Sequence, residues 1–149
     1  MREIKGKCLC GTVQYQLNSE QLIAYQCHCS LCRQFSGTAF STTLFAKVEA
    51  FKWIAGKESI KTYSRTSGYT VQFCTTCGST VPNQFRDYPL YSVPAGALND
   101  DYNIEVAVQL FLGSRAQWDQ EKFNGYKYEE MPGLEEIFTH LHLSSASGR

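Results

Sequence analysis

The sequence predicts a mainly β protein of one domain with one or two short helices, and three observations carry that expectation. Nine tyrosines, nine phenylalanines and two tryptophans are many for this length, and aromatic residues pack well on a pleated sheet surface. Short runs of β-forming residues recur along the chain, with turn residues between them. The 149 residues suit one domain, and chains of this size bury roughly two-thirds of their unfolded surface. The domain is expected to run over residues 1–143, with "SSASGR", residues 144–149, as a frayed tail.

Taken in order, "TVQYQL" alternates and sets Val13, Tyr15 and Leu17 on one face. "SLCRQF" reads as one or two helical turns with Ser30 as N-cap. "AFSTTLF" is rich in β-formers and follows a glycine. "SIKTYS", "YTVQFC", "LYSV" and "EVAVQLFL" continue the strand pattern. Gly56, Ser67-Gly68, Asn99-Asp100-Asp101 and Gly113-Ser114 read as turns. Pro82 and Pro94 mark strand ends or edges, because proline cannot donate to a ladder. "PGLEEIFTHLHL" places Leu134, Ile137, Phe138 and Leu141 at helical spacing, with acids in the first turn. Its apolar stripe is expected to pack into a core. His140 and His142, two apart on that helix, do not share a face and read as surface residues.

Lysine plus arginine balance aspartate plus glutamate at 14 each. A neutral chain has no broad field to gather nucleic acid or an anionic membrane surface. No apolar run approaches the roughly 20 residues that span a bilayer. The first residues, "MREIKGKCLCG", turn polar at once and do not read as a secretory signal. The expected compartment is therefore the cytoplasm, a reducing one.

Seven cysteines are an odd number, so a pure disulfide framework would leave one thiol over. In a reducing compartment clustered thiols read as metal ligands or catalytic groups, ahead of disulfides or inert thiols. They fall into three groups: Cys8 and Cys10; Cys27, Cys29 and Cys32; Cys74 and Cys77. The first and third end in Cys-Gly. A metal knuckle turns so tightly that the next residue often needs a positive φ, which glycine adopts at little cost. Gly11 and Gly78 stand there. Cys8, Cys10, Cys74 and Cys77 are thus expected to form one closed four-thiolate structural zinc site. A thioredoxin-like reading of "CTTC" wants a βαβ context that the chain lacks.

The middle group is different. Cys32 is followed by Arg33. In an extended C-x-C, Cys27 and Cys29 project to one side and His28 to the other, and a turn into helix at Ser30 lets Cys32 join them. Three thiolates on a divalent zinc leave one coordination position open, as catalytic sites do. The expectation is a second, catalytic zinc on Cys27, Cys29 and Cys32, its fourth ligand arriving from outside. The alternatives are a nearby side chain that closes the site, His28 among them, or thiols that hold no metal at rest. Reversible oxidation within the group is a further reading.

The segments "GKCLCGTVQY", "CHCSLCRQFSG", "FCTTCGS" and "QLFLGSRAQWD" together resemble the glutathione-dependent formaldehyde-activating enzyme family, over nearly the whole chain. The resemblance implies a β-tent fold of twisted antiparallel sheets around a structural zinc. It implies carbon–sulfur lyase activity of the S-hydroxymethylglutathione synthase type, joining formaldehyde to the thiol of glutathione or reversing that step. By position, Cys8, Cys10, Cys74 and Cys77 match its structural zinc ligands, and Cys27, Cys29 and Cys32 its catalytic ones. The chain departs from the family at Gln109, where histidine is common, and at Gln117, where proline is common. An amide cannot titrate near neutrality.

The expected partners are a small thiol such as glutathione and a small aldehyde. Glutathione has two carboxylates, and Arg33, Arg65 and Arg115 are candidates to meet them. Ser36 and Gly37 are candidates to shape the pocket mouth, although Gly37 also suits a helix C-cap. Trp118 is a candidate cleft wall or, more simply, a core residue. The competing functional expectation is a zinc-stabilised binding module without catalysis, because one fold serves many functions.

Overall fold

A computed structural model describes residues 1–143, and the tail expected over 144–149 lies outside the described residues. The chain is mainly β. Its strands are β1 (Arg2–Lys7), β2 (Gln14–Ser19), β3 (Leu22–Cys27), β4 (Ser41–Lys47), β5 (Phe51–Ala55), β6 (Ile60–Ser64), β7 (Thr70–Cys74), β8 (Thr80–Val81), β9 (Asn83–Gln84), β10 (Leu90–Pro94) and β11 (Ile104–Leu110). The helices are α1 (Ser30–Ser36) and α2 (Leu134–His140). The chain divides into two compact units, Met1–Asp119 and a second that begins at Gln120.

The first unit holds three sheets, ordered β1-β2-β5, β11-β3-β4-β10-β9 and β6-β7-β8. All pairings are antiparallel except β11 with β3. The first two sheets share the main core. The predicted alternation of β2 buries Tyr15 and Leu17 there, with Ile4 of β1. Ala24, Leu44, Ala46 and Val93 face them from the five-stranded sheet. Phe51 and Trp53 of β5 close one side against Tyr91, the Phe51 and Tyr91 rings 4.1 Å apart. Val13 turns to a second, smaller cluster with Cys8, Cys74 and Val81.

Pro82 separates β8 from β9, and Pro94 ends β10, as the missing N–H of proline requires. β1, β3 and β5 escape the sequence patterns. β1 alternates lysine and glutamate with single inward residues. β3 buries Leu22, Ala24 and Cys27, and β5 half-buries Phe51 and Trp53. β11 is found as expected, but on a sheet edge, where Val106, Val108 and Leu110 stay exposed.

Two local expectations need correction. The N-cap of α1 is Cys29 rather than Ser30. Cys29 has extended backbone angles, and its sulfur accepts the Cys32 N–H at 3.4 Å. Trp118 is exposed and so is not a core residue.

In the second unit α2 does not bury its apolar stripe. Leu134 and Leu141 are exposed, and Ile137 and Phe138 are half-buried. Its ordering contact is aromatic. His140 stacks on Tyr126 with centroids 3.5 Å apart, and its Nε2 lies 2.9 Å from the Tyr128 hydroxyl. His140 is thus packed against two tyrosines and is not a bare surface residue. No helix among the described residues is long and apolar enough to cross a membrane.

Candidate metal centres and the cavity beside one of them

The two outer cysteine pairs fold as near-copies of one knuckle. Cys8 follows β1, and Cys74 ends β7. The Cys8 N–H donates to the Val13 carbonyl at 3.0 Å, and the Cys74 N–H to the Ser79 carbonyl at 2.9 Å. Within each loop the glycine N–H returns to the first cysteine's carbonyl, Gly11 to Cys8 at 3.0 Å and Gly78 to Cys74 at 2.8 Å. Gly11 and Gly78 have φ of 81° and 74°, the left-handed backbone that the Cys-Gly pattern predicts. The loops are tied together by the Leu9 N–H, which donates to the Ser79 hydroxyl at 2.9 Å.

This folding gathers Cys8, Cys10, Cys74 and Cys77, whose sulfurs all lie within 4.8 Å of one another. Cys8 to Cys10 is 3.5 Å and Cys10 to Cys74 is 3.9 Å. Four sulfurs ~2.3 Å from a tetrahedral zinc would sit ~3.8 Å apart, so the donor set fits that ion. The surroundings divide the thiols. Burial pushes Cys8 up. The Thr12 hydroxyl, 3.2 Å from its sulfur, holds Cys10 down. Cys77 is held down to about 5, first by the Ser79 hydroxyl and then by the Cys10 backbone N–H.

The middle group is built by a strand running into a helix. Cys27 ends β3 between Ser41 of β4 and Leu110 of β11. The His28 N–H donates to the Leu110 carbonyl at 2.9 Å, which fixes the exit from the sheet. Cys29 caps α1 and Cys32 lies in its first turn. The three sulfurs again lie within 4.8 Å of one another, and His28 is not among the ligating atoms. Its ring is 1% exposed, lies 4.9 Å from Phe40, and places Nε2 3.7 Å from an Asp119 oxygen. Asp119 also accepts from Arg115 Nε at 3.0 Å.

Burial, foremost, pushes Cys27 up to about 12. Burial raises Cys29 as well, but the Cys32 N–H and the neighbouring thiols outweigh it, and the net shift is downward. This group too could hold a metal ion, with three protein ligands rather than four.

A cavity of about 400 Å³ lies beside Cys32 of the middle group, between the five-stranded sheet and the β6-β7-β8 sheet. Cys32 forms part of its wall. Of the expected substrate contacts, Ser36 lines it, while Arg33 and Gly37 do not. Gly37 serves as the left-handed C-cap of α1, with φ 68°. The Nε of Arg33 is buried without a hydrogen-bond partner among the described residues. Arg65, Arg115 and Trp118 also lie outside the lining. Gln109 sits on exposed β11, its amide donating to Gln26 at 3.3 Å, and is not a lining residue.

Two residues that sequence reasoning missed are at the cavity. The Tyr69 hydroxyl lies 3.9 Å from Cys32 Sγ. Its proton is held firmly, because burial and then the adjacent Cys32 thiol raise its pKa above the ordinary tyrosine range. Arg86, in the turn between β9 and β10, is the cation of the lining. The alternation of Tyr69 with buried Val71 was the available signal for the first. Nothing local marked the second.

The sequence model described as glutathione-dependent formaldehyde-activating enzyme matches residues 3–114. A crystal structure of a Rhodobacter sphaeroides protein is similar at 27% sequence identity and a TM-score of 0.55, over 66% of this chain and 90% of that one. No curated protein matches.

Proposed function

The chain belongs to the glutathione-dependent formaldehyde-activating enzyme family, and from that premise we propose that it is a zinc-dependent carbon–sulfur lyase acting on thiol–aldehyde adducts of the S-hydroxymethylglutathione type. The observation that supports this most is the separation of sulfurs. A complete quartet is separate from a trio of which one member, Cys32, lines a cavity. Cys8, Cys10, Cys74 and Cys77 would hold a structural zinc, and Cys27, Cys29 and Cys32 a catalytic one.

In the joining direction a bond forms between the thiol sulfur and the carbonyl carbon. The carbonyl π pair moves to oxygen, and that oxygen takes up the proton that the thiol gives up. The reverse breaks the carbon–sulfur bond and returns the proton to sulfur. Cys27, Cys29 and Cys32 would hold the zinc, which would supply a Lewis-acid centre for an incoming thiol or the aldehyde oxygen. The chain's own residues supply the place of reaction. Tyr25, Phe40 and Tyr69 line the cavity together with Cys32, and confinement of both reactants there would remove much of the entropic barrier. Tyr69, proton in place, is the hydroxyl that donates to the oxygen as it gains charge. Ser36 donates to the Cys32 carbonyl at 2.7 Å and so steadies the helix turn that carries that ligand. A cytoplasmic setting suits two thiolate sites, since thiols stay reduced there.

Metal content and turnover test the proposal together. Purified protein is expected to hold two zinc ions per chain and to convert a thiol with an aldehyde faster than buffer does. The Cys29→Ser protein is expected to hold one and to lose the rate. One zinc per chain, indifferent to Cys29→Ser, would return the protein to the non-catalytic zinc-stabilised binding module. Gln109 is exposed and is not a lining residue of the cavity, so its departure from the family pattern leaves the lining unchanged.

A further inference from the structure

A single residue, His28, stands between Cys27 and Cys29, so its backbone angles set how those two sulfurs face one another. One segment of chain grips that residue twice. Where β11 ends, the Leu110 carbonyl accepts the His28 N–H at 2.9 Å. The chain then leaves the sheet at Phe111, whose φ of 57° is left-handed. It closes a turn in which the Asp119 N–H donates to the Ala116 carbonyl at 3.1 Å. Ala116 is buried and Trp118 exposed, and the Asp119 carboxylate comes back against the His28 ring.

The ring is an unusual filling for its place. It is 1% exposed, yet Nδ1 has no hydrogen-bond partner, and the Asp119 oxygen 3.7 Å from Nε2 is farther than a hydrogen bond reaches. Buried polar atoms are nearly always satisfied. Beside Phe40, a phenyl ring would fill the same space without burying two nitrogens. Among the described residues the Asp119 carboxylate is the ring's one polar partner. That carboxylate is itself fixed, because the same oxygen, Oδ2, accepts from Arg115 Nε at 3.0 Å.

We propose that Asp119 is a positioning residue for the trio. Held by Arg115, it orients the His28 ring, and through the His28 backbone it sets Cys27 and Cys29 for a metal ion. A centre with three protein ligands relies on such support more than one with four, since fewer bonds to the metal fix its shape. Asp119 lies outside residues 3–114, the span that the family model matches. The inference rests on the reading of the trio as a zinc site.

Competition for zinc between the full chain and a colour-forming chelator tests it. The trio ion is the one that Cys29→Ser lacks, and the quartet ion reports that a variant is folded. Asp119→Ala is expected to weaken the trio ion about tenfold, the lower end of what outer partners of a metal site contribute, and to leave the quartet ion unchanged. In a His28→Phe background no imidazole remains to be oriented, and Asp119→Ala is expected to have no further effect on the trio ion. Weakening or loss of both ions together would make Asp119 a residue of the fold and overturn the inference. An unchanged trio ion, or the same tenfold loss in the His28→Phe background, overturns it as well. One zinc per chain that Cys29→Ser leaves in place ends the reading of the trio as a metal site, and the inference falls with it. None of these readouts depends on turnover, so the lyase reading is judged separately.

Discussion

Gly11 and Gly78 show how much one backbone angle decides at the residue scale. Both have positive φ, and a Cβ built on either would meet nothing within 4 Å. Space is therefore not the constraint. Only the left-handed backbone is, and it costs an ordinary L-residue ~1–2 kcal/mol. Gly78→Ala is expected to lower stability by that amount with zinc still bound, read as a shift of a few degrees in the thermal melt at unchanged metal content. A second prediction belongs to Tyr69. Its hydroxyl near Cys32 Sγ is part of the proposed chemistry and takes no part in a core cluster. Tyr69→Phe is expected to slow turnover about tenfold, the worth of one hydrogen bond of ~1.4 kcal/mol, with zinc content and melting temperature unchanged. A variant that melts early instead would make Tyr69 a packing residue.

At the scale of elements, the two cysteine clusters join different parts of the fold. The quartet joins the end of β1 to the end of β7, and so ties the first sheet to the third across the small cluster of Val13 and Val81. Structural zinc sites contribute ~10 kcal/mol or more to folding, comparable with the whole stability of a typical domain, ~5–15 kcal/mol. Cys77→Ser is expected to abolish cooperative melting or to lower its midpoint severely. The trio joins neighbours already paired through β3 and β4, so its loss removes no long-range tie. Cys29→Ser is expected to melt close to the parent, because serine keeps an acceptor at the N-cap of α1. Cys29→Ala should cost ~1 kcal/mol more, the usual price of a lost cap. Equal melting of Cys77→Ser and Cys29→Ser would refute the division of roles.

At the scale of the molecule, both cysteine groups, every lining residue of the cavity and all three sheets fall within Met1–Asp119. The family match, residues 3–114, falls within it too. A chain that ends at Asp119 is therefore expected to fold, to bind two zinc ions and to retain the turnover of a thiol with an aldehyde. Failure to bind the trio metal would show that residues from Gln120 onward complete that site. α2, with Leu134 and Leu141 exposed, contributes to none of these features in its own unit.

What the sequence by itself determined was local: which cysteines pair across a knuckle, where glycine must follow, which face of β2 turns inward, and where proline stops a strand. Each depends on a few neighbouring residues, and so leaves a pattern at short spacing. The cap of α1 escaped that logic by one residue, because the Cys29 sulfur displaced the hydroxyl of Ser30 as the acceptor. Only the tertiary structure decided what surrounds the open side of the trio. Tyr69 and Arg86 line the cavity beside Cys32 because the third sheet lies against the five-stranded sheet and its β9–β10 turn, and contacts between residues so distant in sequence write no periodicity into either segment. The candidate arginines chosen by proximity in sequence, Arg33 first among them, missed the cavity for the same reason: closeness along the chain sets which backbone a residue shares, while the packing of sheets sets what its side chain can touch.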